Sequence, residues 1–280
     1  MASVPFAAIY SSVSIQCGML LSKQLALEPM GKVIALFNQA GGVGKSTLTL
    51  NLGYSLAQRK RRVLLVDMDP QSSLTTFMGL ESGKLERTIY NAIVPEEKLP
   101  IHQELHGMDL VPAQLKLSDA EQELVTAYMR DTRLKDALEP AREQYDFILI
   151  DCPPSLGMLS YISLVATDYL LIPIQTQFKA FQGTDMLLQT LQKVKAKPNR
   201  NLKIAGFVPT MYDSRNSHDE LTLKAIQAQL APLGKVFPFI PKSTVFADAS
   251  MDRVPLAVYS PKHPAKKVLD VIAKEMEELG

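Results

Sequence analysis

The run Asn38-Gln39-Ala40-Gly41-Gly42-Val43-Gly44-Lys45-Ser46-Thr47 follows a short apolar stretch and leads into a segment of helical pattern. Glycines in such a place let the backbone wrap a phosphate with successive N–H groups turned inward, and a helix N-terminus adds partial positive charge. Lys45 is then placed to meet β- and γ-phosphates and the Ser46 hydroxyl to ligate Mg²⁺, with Gly41, Gly42, Val43, Gly44 and Thr47 completing the loop. The usual spacing, GxxxxGK followed by Ser or Thr, is broken: Gln39 stands where the first glycine belongs, and two glycines are paired at 41 and 42. Carboxylates supply the second chemistry. Val63-Leu64-Leu65-Val66 runs into Asp67-Met68-Asp69, and Phe147-Ile148-Leu149-Ile150 runs into Asp151. Open parallel sheets bind ligands at the carboxyl ends of their strands. One strand-terminal Asp reads equally well as a turn or cap residue, but two such strands beside a phosphate loop point to nucleotide chemistry.

Positioning these groups requires strands buried on both faces. The runs 33–37, 63–66, 147–150, 169–173 and 204–208 are continuously apolar rather than alternating, as in a parallel sheet covered by helices. Helical patterns fall between them at 45–58, 131–144, 184–195, 219–230 and 264–279. Strand and helix in alternation give a doubly wound α/β fold with a mostly parallel sheet, read as one domain over residues 30–280. Residues 1–29 are mildly apolar, with no basic residue before Lys23, a poor signal peptide. They read as an extension, either disordered or the product of a misread start codon, and the intact mass of the natural protein decides between these.

The chain has 280 residues, with 30 Lys and Arg against 29 Asp and Glu and a net charge of +1, so bulk charge indicates no polyanion binder. A hydrophobic share of 46% and a charged share of 21% are those of a packed globular chain and exclude collagenous or broadly disordered classes. Cys17 and Cys152 are far apart, which removes zinc, iron–sulfur and disulfide frameworks. No apolar run is long enough for a membrane span, and the expected place of work is the cytoplasm.

GGVGKST, LLVDMDPQSS, DFILIDCPPSL and TMYDSR together resemble the ParA family of deviant Walker-box P-loop NTPases, with the likeness running over about residues 32–279. That resemblance implies an ATPase, slow and partner-stimulated, that uses ATP and Mg²⁺ and closes into a sandwich homodimer. It implies Lys45 and Ser46 on phosphate and metal, Asp151 behind the metal through water, Asp67 in the metal and switch region, and Asp69 positioning the attacking water. Pro241 matches the proline beside the adenine, and Thr210 and Met211 match the segment near the base. Catalysis of this kind depends on positioning and electrostatics.

Two departures stand out. The family's lysine that reaches the partner's phosphates belongs at position 40, which is Ala40 here. Lys179, in a segment resembling the family's dimer-face stretch, is the substitute cation we expect, with an ordinary exposed lysine as its alternative. Loss of that lysine also resembles the McdA branch, which spaces carboxysomes over the nucleoid through an McdB adaptor. A plasmid or chromosome ParA with a ParB-type adaptor is the close competitor.

The resemblance further implies non-specific binding of nucleoid DNA. Residues 179–267 carry a balance of +8, which the overall +1 conceals. Arg215 matches a family DNA-binding arginine. A second family arginine is replaced by Val245, leaving Lys242, Arg253, Lys262, Lys266 and Lys267 to share the role. Operator-specific repression through the helix-turn-helix domain of some plasmid ParA proteins is not expected. Two rivals remain: a nucleotide-gated DNA-binding scaffold that hydrolyses negligibly because of Ala40, and a MinD-like membrane-cycling ATPase. Against the latter, Lys274-Glu275-Met276-Glu277-Glu278-Leu279 is acidic where anionic lipid needs basic charge.

Overall fold

The computed structural model describes residues 30–177 and 184–280, so the 1–29 extension and Lys179 lie outside the described residues. Within Gly31–Gly280, a compact unit, the strands are β1 (Lys32–Leu36), β2 (Val63–Asp67), β3 (His102–Leu105), β4 (Met108–Val111), β5 (Phe147–Asp151), β6 (Tyr169–Gln175) and β7 (Lys203–Thr210). They form one sheet in the order β3-β4-β2-β5-β1-β6-β7, parallel throughout except for β3 against β4. The helices are α1 (Lys45–Gln58), α2 (Ser73–Phe77), α3 (Ile89–Ile93), α4 (Leu117–Thr126), α5 (Arg133–Arg142), α6 (Met158–Val165), α7 (Thr184–Ala196), α8 (Ser217–Leu230), α9 (Val245–Met251), α10 (Leu256–Tyr259) and α11 (Ala265–Glu277).

Successive side chains of a strand point to opposite faces, and here both faces are apolar. Val33, Ala35, Val66, Ile148 and Ile150 enter one core with α4, α5, α6 and α7; Ile34, Leu36, Leu65, Leu149 and Val208 enter the other with α1 and α11. Each fully buried aliphatic side chain contributes roughly 1.5–3 kcal/mol, so the central strands have no solvent face to lose. The five expected strands are all present. The hairpin β3–β4 was not among them. Its turn residues His106 and Gly107 have φ of 55° and 76°, the two left-handed positions that a tight hairpin turn demands.

Register brings the chemistry to one edge. Leu36 of β1 is level with Asp151 of β5, which is level with Asp67 of β2. The chain leaves β1 for β2 on one side of the sheet, while β6 and β7 lie on the other, so the loop after β1 opens at a topological switch point.

At the other side, the pairing of β6 with β7 slips by one residue between Leu170 and Leu171, with Gly206 at the bulge in a left-handed φ of 156°. A Cβ there would stand 2.5 Å from the Phe237 ring and 2.7 Å from the Lys235 carbonyl. The approach lets Phe207 pair with Lys235 and Phe237, laying residues 235–241 along β7. Gly206→Ala is therefore expected to cost about 3 kcal/mol through overpacking and backbone strain. Urea unfolding checks this; a cost under about 1 kcal/mol is incompatible with the packing described.

Candidate functional site

The phosphate loop is shaped by its own chain and by two neighbouring strands. Gly42 and Gly44 have φ of 72° and 92°, with nothing within 4 Å of where a Cβ would lie, so conformation and not space requires glycine there. Gly44 is the residue from which α1 starts. Asn38 is buried and ties the loop down: its amide donates to the Pro173 carbonyl at 2.7 Å, and its Oδ1 accepts the Ala40 N–H at 2.9 Å. From the far side, Thr210 Oγ1 donates to the Val43 carbonyl at 2.9 Å. Lys45 is only 6% exposed, and its ammonium donates to the carbonyls of Asn38 and Ala40 at 2.9 and 3.0 Å. Burial pulls its pKa below the usual lysine value, opposed by the nearby carboxylates, Asp151 first.

The carboxylates occupy the adjacent strand ends. Asp67 is fully buried; its Oδ2 accepts the backbone N–H and hydroxyl of Thr75 at 2.9 and 2.7 Å, and its Oδ1 accepts the Asp69 N–H at 3.1 Å. Burial raises its pKa to about 7 despite those bonds. Asp151 is equally buried, and neither of its oxygens closes a full hydrogen bond among the described residues. Burial and then the neighbouring Asp67 push its pKa well up, while the Ser46 hydroxyl and Lys45 draw it the other way. A buried carboxylate left without a partner is costly unless a cation or donor completes it. Asp69, half-exposed, turns its Oδ1 to the Gln71 N–H at 2.9 Å.

No group of His, Cys, Asp or Glu among the described residues is arranged as a complete metal cage. Mg²⁺ is normally held by one or two protein groups together with substrate phosphates and water. Ser46, Asp151 and Asp67 are the groups that fit it.

Beside the loop lies a cavity of about 240 Å³ lined by Val43, Thr47, Leu48, Thr210, Met211, Ile240, Pro241, Lys242, Ser243 and Phe246. Its outer wall is held by backbone pairing: Tyr212 N–H donates to Ile240 at 3.1 Å and Lys242 N–H to Tyr212 at 2.9 Å. Thr210, Met211 and Pro241, expected near the base, all line it. Ile240, Phe246 and Leu48 escaped sequence reading because each reads as an ordinary core residue. Larger hollows of about 510 and 430 Å³ lie beside α5 and at the opposite edge of the sheet, around Arg62 and Tyr145, and no phosphate-loop residue lines them.

The basic candidates sit in four places. Arg215 is on the loop between β7 and α8, its side chain 87% exposed yet bidentate to Asp213 at 2.9 and 2.8 Å, which holds the Asp213 carboxyl down at about 2. Lys242 is near enough to act on the same carboxylate and also borders the cavity beside the phosphate loop. Lys262, Lys266 and Lys267 surround the start of α11, where His263 meets Ser243 at 3.2 Å and Lys266 pairs with Asp270 at 2.7 Å. Arg253 lies elsewhere, its carbonyl against His106 of the β3–β4 turn. Arg215, Lys242 and the α11 start thus share a neighbourhood through the 241–244 segment, and Arg253 is tied to a different one.

Residues 31–204 match the family model of the AAA domain. The chain is 37% identical to the sporulation initiation inhibitor protein Soj of Bacillus subtilis, over 90% of this chain and 100% of that protein. It is also 37% identical to the chromosome partitioning protein ParA of Caulobacter vibrioides, over 88% of this chain and 93% of ParA. Among solved structures, cobyrinic acid a,c-diamide synthase of Mycobacterium smegmatis with bound ADP and magnesium matches with a TM-score of 0.79 at 31% identity, covering 89% of this chain and 95% of the other. An ATP complex of Cyanothece McdA matches with a TM-score of 0.81 at 25% identity, covering 89% and 98%. None of the described helices is long and apolar enough to cross a membrane. A loop of this geometry, on a sheet of this order, in a chain matched along most of its length by Soj and ParA, places the protein in the ParA/MinD superfamily of Walker ATPases.

Proposed function

We propose that this ATPase is a partition motor: ATP closes two copies into a sandwich dimer, the dimer holds nucleoid DNA without sequence preference, and hydrolysis stimulated by an adaptor releases it to position a cargo. The observation that supports the nucleotide half is the buried Asp151 carboxylate, which closes no full hydrogen bond yet lies beside Lys45 and Ser46 at the mouth of a preformed phosphate loop. ATP binds with its phosphates in the loop and its base in the cavity walled by Met211, Ile240 and Pro241. Lys45 turns from the carbonyls of Asn38 and Ala40 to the β- and γ-phosphates. Ser46, Asp151 and Asp67 would hold Mg²⁺, which when bound would offset charge on the phosphate oxygens. Asp69, at the mouth of the site, orients the attacking water.

Ala40 cannot supply the cation that relatives of this family present across the dimer, and we propose Lys179 for it. The competing reading, a nucleotide-gated scaffold with negligible turnover, rests on that same Ala40 methyl. Single-turnover hydrolysis by wild type and Lys179→Ala separates the two.

The DNA half rests on Arg215 and the basic block around it, with Lys242, Lys262, Lys266 and Lys267 beside it and Arg253 as an outlying contributor. Working on the nucleoid places the protein in the cytoplasm, with an adaptor of ParB or McdB type and a carboxysome, plasmid or chromosome as cargo. Retention on a non-specific duplex, measured with ATP, is expected to fall about tenfold in Arg215→Ala and to show a shallower salt dependence. In Lys45→Ala it should be lost. Retention that ignores both substitutions and ATP removes the partition reading.

A further inference from the structure

One buried carboxylate has no part in the mechanism above. Asp219, in the first turn of α8, is 4% exposed. Its Oδ2 accepts the Thr176 hydroxyl at 3.2 Å and the Asp213 N–H at 2.9 Å, while its Oδ1 accepts the Asn216 amide at 2.7 Å. Three segments therefore converge on one side chain: the end of β6, the loop carrying Arg215, and the start of α8.

Following those bonds in the other direction leads to the nucleotide loop. The Thr176 N–H donates to the Thr210 carbonyl at 3.0 Å, and its hydroxyl lies 3.3 Å from the same oxygen. Thr210 Oγ1 donates to the Val43 carbonyl at 2.9 Å. Hydrogen bonds thus run without a break from the phosphate loop through Thr210, Thr176 and Asp219 to the backbone of Asp213. The last step is the Asp213 carboxylate, which grips the Arg215 guanidinium and also accepts the Arg215 N–H at 3.0 Å. Arg215 is surface-exposed, yet its fork is already occupied by a carboxylate that competes with any incoming phosphate. The same loop lines the base cavity at Met211, held in a left-handed φ of 57°. One short segment therefore answers to the base at one end and carries Arg215 at the other.

We propose that Asp219 is a positioning residue that couples the phosphate loop to Arg215, so that nucleotide on the loop and a polyanion on Arg215 strengthen each other's binding. The proposal rests on the reading that Arg215 meets DNA. Because coupling between two sites is reciprocal, its size can be read from either ligand. A bonded chain has this effect only if its members are poised between two arrangements. The Asp213–Arg215 pair supplies such an element, since an exposed ion pair is weak enough to open under modest bias.

The test measures affinity for a short non-specific duplex at one low salt concentration, with and without a non-hydrolysable ATP analogue, and takes the ratio. The variants are Asp219→Asn, which places an amide donor among donors, and Thr176→Val, which loses one hydroxyl at constant shape. A merely structural role lowers both affinities or the melting temperature and leaves the ratio alone. We expect the ratio to fall at least about fivefold in both variants, the lower end of ordinary coupling. Asp213→Asn is expected to tighten duplex binding about threefold, and only while Arg215 is present, as a cycle with Arg215→Ala shows. Should Asp219→Asn fail to fold, Thr176→Val decides. Wild-type ratios in every variant that folds overturn the coupling while leaving the DNA reading intact, provided Arg215→Ala alone weakens binding. If Arg215→Ala has no effect with the analogue present, the DNA reading and the proposal fall together.

Discussion

Lys45→Ala is expected to lower ATP hydrolysis by about 10²–10³-fold, the usual consequence of deleting one preorganised charge from a phosphoryl-transfer site. On the proposed reading, the ammonium is the group in the described loop that stabilises negative charge on the γ-phosphate as the bond breaks, because Ala40 offers a methyl where the family resemblance puts a second cation. The loop itself should survive. Its shape comes from the left-handed Gly42 and Gly44, from Asn38 bonded to Pro173, and from Thr210 bonded to Val43, none of which involves the lysine side chain. Removing a buried ammonium also relieves its desolvation, which offsets the loss of its two bonds to the Asn38 and Ala40 carbonyls. A melting temperature near that of wild type, with turnover nearly abolished, is the expected pair of results. Steady-state hydrolysis and thermal unfolding on the same preparation check it; a loss below about tenfold means another cation does this work.

Much of this could be read from residue order, and the exceptions have physical reasons. Apolar runs such as Phe147–Ile150 announce strands because both faces are buried, and the glycines before Lys45 announce a phosphate loop because few other residues adopt its conformation. The strands β3 and β4 are short, and β3 is a partly exposed edge reading His-Gln-Glu-Leu, so burial left no pattern there; the cue was the His106-Gly107 turn. Helix α6, Met158–Val165, is apolar nearly all round, and periodicity cannot separate such a helix from a strand. Helix α5 begins at Arg133, two residues inside the expected 131–144, because a 3₁₀ turn over Arg130–Thr132 precedes it.

At the candidate site, residues whose placement follows from the local backbone pattern were legible and those whose placement follows from tertiary approach were not. Lys45, Ser46, Asp67 and Asp151 belong to the first kind. Thr75, which holds Asp67 from a helix of five residues, belongs to the second, as does Asn38, whose partner Pro173 is 135 positions away. Asp219 looks in sequence like an ordinary acidic residue in the first turn of a helix, a favourable and common placement. Its burial and its bonds to Thr176 and Asp213 are visible only in three dimensions. The basic block shows the opposite limit. Charge counts pick out the block, yet could not say that Arg215 is engaged by Asp213 or that Lys266 is spent on Asp270.

Asp151→Asn should separate function from stability, with hydrolysis falling about 10²-fold while the metal-free and nucleotide-free protein becomes more stable by about 2 kcal/mol at pH 8. Asp151 is buried, neither oxygen closes a full hydrogen bond, and Asp67 is beside it, so ionising it inside the fold is opposed by burial and by like charge more than the Ser46 hydroxyl and Lys45 favour it. In the unfolded chain the same carboxyl ionises freely. The unfolded state therefore holds fewer protons at neutral pH, and stability contributed by this group falls as pH rises from about 4 through its raised folded pKa. Asp67, pushed up to about 7, adds a second decline over about pH 4 to 7. An asparagine in place of Asp151 has no proton to lose, can donate its amide to a neighbouring carboxylate, and removes one of the charges that raises Asp67. The melting temperature of the variant should exceed wild type by several degrees at pH 8, and the gap should narrow towards pH 5. Added Mg²⁺ and ATP should reverse the order if, as proposed, the ionised carboxylate that destabilises the bare protein completes the metal's surroundings. A variant that melts below wild type at pH 8, or that retains wild-type turnover, would show that Asp151 is held by contacts other than those described here.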